Sequence, residues 1–86
     1  MKISSSLHMG QYRNNKYLKA FGDNVRKIRK SKGMSQESLA YGSELNLSQV
    51  ARIERGVVNP TICTVYLLAK ALGVPPKDLF DFDYND

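Results

Sequence analysis

The stretch from Ser35 to Gly56 constrains the fold most, because it contains two short amphipathic segments separated by only a few residues. Apolar residues at helical spacing mark the inward sides: Leu39 and Ala40 in the first segment, and Leu47, Val50 and Ile53 in the second. This spacing predicts two consecutive helices that each bury one face. The opposite face of the second helix is left polar and basic.

That polar face carries Ser48, Gln49 and Arg52, which lie three or four residues apart and therefore cluster on one exposed patch. Hydroxyl, amide and guanidinium groups hydrogen-bond to base edges and to phosphates. The pattern is typical of a helix that is presented to a groove of DNA. Ordinary solvated side chains at Gln49 and Arg52 are the alternative interpretation of the same spacing.

The charge distribution supports a polyanionic partner on one side of the chain. Up to Arg55 there are 11 basic and 4 acidic residues, whereas from Gly56 onward there are 2 basic and 4 acidic residues. A basic front half and an acidic end indicate one polyanion-binding surface, although a merely solvated surface gives the same charge. At 86 residues the chain forms one domain with a small core, which we expect a partner to complete.

Turn and capping residues divide the chain into five predicted helices, and no segment alternates long enough to predict a strand. The helical pattern begins at Phe21, and a nearly all-apolar fourth helix over 62–72 is predicted to lie in the middle of a bundle. The other boundary signals are Gly33, Gly56 and Gly73 at helix ends, Ser35, Asn46 and Thr61 as N-caps, and Pro75-Pro76 before a last short helix.

The single cysteine, Cys63, cannot form an intramolecular disulfide and fits a reducing cytoplasm. Because it lies in the apolar run, we expect a buried packing thiol rather than a reactive one. No apolar run approaches the roughly 18–20 residues that span a bilayer, so no membrane association is expected. We therefore predict a cytoplasmic protein.

Residues 1–20 lack sustained periodicity and are predicted to form an N-terminal tail or arm, partly disordered or derived from a leader or cloning junction ahead of Met9. Its basic and aromatic side chains predict an arm that lies along the phosphate backbone or in a minor groove: Tyr12, Arg13, Lys16, Tyr17 and Lys19. A tail that is floppy, or that extends the first helix, is the alternative.

From about Phe21 to Phe82 the chain resembles the helix-turn-helix domains of the Cro and lambda-repressor type, the XRE family. The residues that carry the resemblance, in order and correctly spaced, are Arg29, residues 33–37 (GMSQE), Ala40, residues 53–56 (IERG), residues 59–61 (NPT) and residues 69–74 (AKALGV). The resemblance implies an all-α, compact five-helix DNA-binding domain over residues 21–82, followed by an acidic tail over 83–86. It also implies a bacterial or phage regulator that associates with the nucleoid.

The resemblance further implies which residues contact double-stranded DNA. The helix 46–55 would lie in the major groove, with Gln49 and Arg52 best suited to read adenine and guanine. The full set of implied contacts is Asn46, Ser48, Gln49 and Arg52 for base edges, and Gln36, Arg55 and Asn59 for phosphates. Asn46 is alternatively the helix cap.

Arg29 and Glu54 are implied to form the internal ion pair of the family, which gives Arg29 a structural role rather than a DNA contact. The chain departs from the family pattern at Glu44, where the turn between the second and third helices often holds a glycine with positive φ. Leu47 occupies a recognition-helix position that is often polar, and it is expected to point inward or to contact a thymine methyl group.

The function predicted from these observations is that of a transcriptional regulator, most readily a repressor, which binds a palindromic operator as a homodimer. The aromatic residues near the acidic end exceed what so small a core can cover, so the predicted dimer interface consists of Leu79, Phe80, Phe82 and Tyr84. The alternative is an antitoxin-like or anti-repressor module that uses the same fold to bind a protein partner. The motifs of enzymes are missing from the sequence, and no cofactor or metal is expected.

Overall fold

The computed structural model describes residues 12–85, and over that range the chain folds into four α-helices followed by one short 3₁₀ helix. The helices are α1 (Asn15–Ser31), α2 (Gln36–Ser43), α3 (Leu47–Arg55), α4 (Ile62–Leu72) and the 3₁₀ helix Pro76–Phe80. The all-α class is confirmed. The fifth predicted helix is present, but as a 3₁₀ helix rather than an α-helix.

Short polar side chains begin the helices where the sequence predicted caps. Ser35 Oγ accepts the backbone N–H of Ser38 at 3.0 Å, and Thr61 Oγ1 accepts that of Thr64 at 3.1 Å. Each bond satisfies one of the N–H groups that a helix leaves without a partner in its first turn. The start points of α2 and α4 are therefore local consequences of the sequence.

Helix α1 begins at Asn15, six residues earlier than the predicted start at Phe21. Asn14 is its cap and accepts the backbone N–H of Tyr17 at 2.9 Å, and Leu18 is buried in the core. The first two turns are held by the C-terminal segment, because the Tyr17 ring lies 5.3 Å from the Phe82 ring. Residues 15–20 thus belong to the domain. The predictions of disorder and of a start at Met9 fall on residues 1–11, outside the described residues.

All five helices contribute to the core. One completely buried side chain from each is Val25, Leu39, Val50, Leu68 and Leu79. The crossing of α1 over α3 is close at Gly22, where an added Cβ would lie 2.3 Å from the carbonyl oxygen of Ile53. Only a residue without a side chain allows this approach. Contact between these two backbones fixes the position of α3 relative to α1.

Helix α4 is not buried on all sides, which corrects the prediction that it lies in the middle of a bundle. Its buried side chains all lie on one face: Val65, Leu68, Ala69 and Leu72. On the other face, Ile62 is 87% exposed, Tyr66 is 54% exposed, and the thiol of Cys63 is exposed rather than buried as predicted. In so small a domain the neighbouring elements cover one face only.

Three of the four predicted dimer residues are occupied within the chain itself. Leu79 is completely buried in the core, and Phe82 packs against that core. The hydroxyl of Tyr84 accepts a hydrogen bond from Asn14 Nδ2 at 2.7 Å. The prediction that so small a core cannot cover the aromatic residues holds for Phe80, which is 44% exposed. It does not hold in full for Phe82 and Tyr84, because both rings contact Tyr17 in the early turns of α1.

No helix within residues 12–85 combines the length and the apolar character needed to cross a membrane.

Candidate nucleic-acid interface

The N-terminus of α3 is fixed by a reciprocal capping box. Asn46 Oδ1 accepts the backbone N–H of Gln49 at 2.7 Å, and Gln49 Oε1 accepts the backbone N–H of Asn46 at 2.9 Å. The alternative role of Asn46 as a helix cap is therefore confirmed. Since both side-chain oxygens are engaged, each residue offers a ligand mainly its amide N–H₂ group as a donor.

The two faces of α3 divide as the spacing predicted, with one exception. Val50, Ile53 and Glu54 are buried, whereas Ser48 and Arg52 are exposed and Gln49 is partly exposed. The exception is Leu47, which is 43% exposed at the start of the helix and does not enter the core. The outer edge of α3 thus presents hydroxyl, amide and guanidinium groups together with one aliphatic side chain.

A groove beside α3 is lined both by Asn59, a predicted phosphate contact, and by two of the residues predicted to read bases. Gln49 and Arg52 line one side of it, and Asn59 with Pro60 and Thr61 lines the other. The loop after α3 folds back to make this groove. Arg52 and Asn59, seven residues apart in sequence, therefore face a common space.

The other two predicted phosphate contacts, Gln36 and Arg55, line a second cleft at the opposite edge of α3. Lys19 and Arg26 of α1 line the same cleft. Sequence reasoning missed Arg26 as a candidate site residue, because its position beside α3 depends on the crossing of the two helices. With Arg55, these side chains give the cleft three cations. Its two carboxylates, Asp23 and Glu54, pair with Lys19 and with Arg29.

The predicted ion pair between Arg29 and Glu54 is present and buried. Arg29 Nε donates to Glu54 Oε2 at 2.7 Å, and Arg29 Nη2 donates to Glu54 Oε1 at 3.0 Å. These hydrogen bonds raise the pKa of the guanidinium. A third donor, Arg29 Nη1, bonds to the carbonyl oxygen of Met34 at 2.8 Å and so ties the turn before α2 to the pair.

Gln36 is attached to the same network, because its Nε2 donates to Glu54 Oε1 at 3.0 Å. Its remaining groups are the side-chain oxygen and the backbone N–H at the first position of α2, one of the donors that a helix N-terminus leaves without an intrahelical partner. A phosphate that approaches this end of α2 would meet that N–H and the positive end of the helix dipole.

The turn between α2 and α3 contains the departure noted in the sequence. Glu44 adopts φ 62° and ψ 22°, the left-handed conformation that the family pattern usually gives to glycine. Glutamate therefore occupies the positive-φ position of this turn. Tyr41, near the end of α2, is a large side chain that is 90% exposed.

Within residues 12–85, no group of three or more histidine, cysteine, aspartate or glutamate side chains is arranged to hold a metal ion.

These features define a helix-turn-helix protein, and the chain belongs to the HTH_3 (helix-turn-helix) family, whose model matches residues 25–79. The predicted membership in the XRE family of DNA-binding transcriptional regulators is thereby confirmed. Among curated proteins, the control protein C.BamHI of Bacillus amyloliquefaciens is 49% identical over 63 residues, which cover 72% of this chain and 78% of that protein. An HTH-type transcriptional regulator of Sinorhizobium fredii is 39% identical over 61 residues, 71% of this chain and 79% of that protein.

Two solved structures of similar proteins agree with the assignment to the helix-turn-helix family. The restriction-modification controller protein C.AhdI from Aeromonas hydrophila has a TM-score of 0.72 and 43% identity, covering 73% of this chain and 96% of its own. The wild-type controller protein C.Esp1396I has a TM-score of 0.70 and 38% identity, covering 76% of this chain and 86% of its own. All four of these relatives are named as control, controller or regulator proteins.

Proposed function

We propose that this protein binds specific sequences of double-stranded DNA with α3 in the major groove and thereby regulates transcription. The observation that carries the proposal is the outer edge of α3, where Ser48, Gln49 and Arg52 project from a helix whose inner face is locked into the core. A rigid helix with exposed donors is what reading of base edges requires.

The contacts divide by chemistry. Arg52 reads a guanine, and Gln49 reads a neighbouring base through its amide N–H₂ group, since its oxygen caps the helix. Gln36, Arg55 and Asn59 lie on the two sides of α3 and bind phosphates, which set position and affinity but read no sequence. Asn46 and Ser48 sit at the first turn of α3, within reach of the same base edges.

We further propose that the protein acts as a homodimer, through a patch that keeps only Phe80 of the predicted interface. The patch consists of Ile62 and Tyr66 on the open face of α4 together with Phe80, which is 44% exposed. Phe80 and Ile62 line one shallow apolar groove, so they form a continuous surface. Burying it between two copies would remove these side chains from water.

A two-fold dimer would present two α3 helices to successive major grooves about 34 Å apart, and would therefore select a palindromic operator. The relatives named as control proteins of restriction-modification systems suggest the same kind of role in the cytoplasm here. Such a regulator responds to its own concentration, because dimerisation and DNA binding both follow mass action.

Selection of bound duplexes from a random pool, combined with sedimentation of the free protein, tests this function. We expect enrichment of an inverted repeat, and a dimer in solution. A pool that stays random, with a binding affinity that does not respond to salt, would contradict the proposal and favour a protein-binding module of the same fold.

A further inference from the structure

The early turns of α1 place additional basic side chains beside the end of α3. Arg13 and Lys19 line a cleft together with Arg55, Gly56 and Val57, on the side of the domain where Gln36 and Arg55 also lie. Arg13 and Lys19 come from the segment that precedes the family match at residues 25–79. Arg13 and Lys19, from the start of α1, thus lie beside the proposed phosphate contact Arg55.

The position of this segment is fixed by direct contact with the loop after α3. Gly56 has φ 75°, and an added Cβ there would lie 2.6 Å from the Cα of Lys19. The backbone of α1 therefore touches the turn that ends α3. Because the two backbones are in contact, a ligand bound at Arg55 lies within reach of the side chain of Lys19.

Residues 84 and 85 of the C-terminal segment also contact the start of α1. The rings of Tyr17 and Tyr84 meet edge to face with centroids 4.9 Å apart, and Asn14 Nδ2 donates to the hydroxyl of Tyr84 at 2.7 Å. Lys16 Nζ donates to the carbonyl oxygen of Asn85. Arg13 therefore directly precedes a helix start that is held in place by these contacts. Its backbone loses less conformational entropy on binding a ligand than the backbone of a loose tail would lose.

The charges of these residues are available to an anion. Among residues 12–85, neither Arg13 nor Arg55 is paired with a carboxylate. Lys19 pairs with Asp23 at 2.6 Å, but both side chains are more than half exposed, so the pair is weak and easily exchanged. Three neighbouring cations beside an open cleft favour a partner with regularly repeated negative charge.

We propose that Arg13 and Lys19 bind the sugar-phosphate backbone of DNA beyond the base pairs read by α3, and so extend the footprint of each protomer. The inference rests on the proposed function, since it takes α3 and Arg55 as the neighbouring DNA contacts. Phosphate contacts carry no sequence information, so these residues raise affinity for cognate and unrelated duplexes alike.

The test compares two double variants that remove the same charge. R13A/K19A removes the proposed phosphate-binding side chains, whereas K27A/K77A removes two exposed lysines elsewhere, Lys27 facing the acidic segment with Asp81 and Asp83. Binding of each variant and of the wild type is measured over a range of salt, on a duplex selected from a random pool and on a scrambled duplex of equal length. Thermal melting checks that every variant is folded.

The slope of log K against log salt concentration, where K is the association constant for DNA, should be less steep in R13A/K19A by roughly 0.9 for each phosphate-binding side chain removed. The factor by which R13A/K19A binds DNA more weakly than wild type should therefore shrink about tenfold per protomer between about 50 and about 200 mM salt. The deficit should be similar on both duplexes, and K27A/K77A should retain most of the wild-type slope. Equal slopes for the two double variants on both duplexes would overturn the inference. A wild-type protein that binds the selected and scrambled duplexes equally well would instead contradict the proposed function. A wild-type protein that binds neither duplex would overturn both the inference and the proposed function.

Discussion

Arg29 on α1 and Glu54 on α3 form a two-point ion pair, with donor-to-acceptor distances of 2.7 and 3.0 Å and side chains that are 8% and 2% exposed. The pair also holds Gln36 at the start of α2 and the carbonyl oxygen of Met34. One buried carboxylate therefore joins the three helices that would approach DNA. Because both side chains are buried, we expect the pair to set the position of α3 rather than to contact a ligand.

Glu54→Ala is expected to lower the free energy of unfolding by about 3–5 kcal/mol, because it leaves the buried guanidinium of Arg29 without its counter-charge. Asp23→Ala is the matched control, since it breaks an exposed pair with Lys19 and should cost at most about 1 kcal/mol. Urea unfolding measures both. Similar losses for the two variants would show that the buried pair has no special role.

The apolar double variant R29M/E54L sharpens this prediction. If the loss in Glu54→Ala comes from an uncompensated charge, replacing both partners with apolar side chains should recover much of it. Urea unfolding of the double variant then gives a higher stability than that of Glu54→Ala alone. Failure to recover stability would assign the effect to the bonds with Gln36 and Met34.

Gly22→Ala tests the close crossing of α1 and α3. An added Cβ would lie 2.3 Å from the carbonyl oxygen of Ile53, so the two backbones must move apart at a cost of roughly 1–3 kcal/mol or more. Gly42→Ala, where the nearest atom is the Cβ of Ala71 at 3.4 Å, should instead stabilise α2 by up to about 1 kcal/mol. Thermal melting of both variants should give opposite signs, and a neutral Gly22→Ala would mean that the helices cross less closely.

Glu44→Gly tests the strained turn before α3. Glu44 has φ 62°, so glycine should raise the free energy of unfolding by roughly 0.5–1 kcal/mol. Gly33→Ala provides the reverse change, because Gly33 has φ 69° and alanine there should lose about 1 kcal/mol. Chemical unfolding checks both, and a destabilised Glu44→Gly would show that the glutamate side chain contributes more than the strain costs.

The capping residues were predictable from local sequence and the ion pair from the resemblance to the family, whereas the role of the C-terminal aromatic residues was not predictable from either. Ser35 and Asn46 each accept the backbone N–H three residues away, so local sequence contains the signal. Tyr17 meets Tyr84 across 67 positions, and no local period predicts such contacts. This is why α1 starts earlier than expected.

The exposure of α4 failed to follow from sequence for a different reason. An almost entirely apolar helix contains no polar stripe to show which face is covered, so Cys63 and Ile62 were expected to be buried. In the folded chain only the face with Leu68 is covered. The uncovered face is the patch that we assign to a second copy of the chain.

Tyr66→Lys is expected to weaken the proposed dimer, because it places a charge in an apolar interface. Tyr41→Lys is the control, since it changes an exposed tyrosine on α2 outside the patch. Sedimentation at several concentrations should show a dimer dissociation constant at least about tenfold higher for Tyr66→Lys, equal to about 1.4 kcal/mol, and near the wild-type value for Tyr41→Lys. A wild-type protein that stays monomeric at all concentrations would exclude the dimer.

The ratio of affinities for a selected duplex and a scrambled duplex, measured for wild type, Arg52→Ala and Gln36→Ala, tests most directly whether α3 reads bases. We predict that Arg52→Ala lowers this ratio about 10- to 100-fold, since a bidentate contact to guanine is worth about 1–3 kcal/mol of discrimination. Gln36→Ala should weaken both duplexes alike and leave the ratio unchanged. An Arg52→Ala variant that keeps the wild-type ratio would contradict the placement of α3 in the major groove.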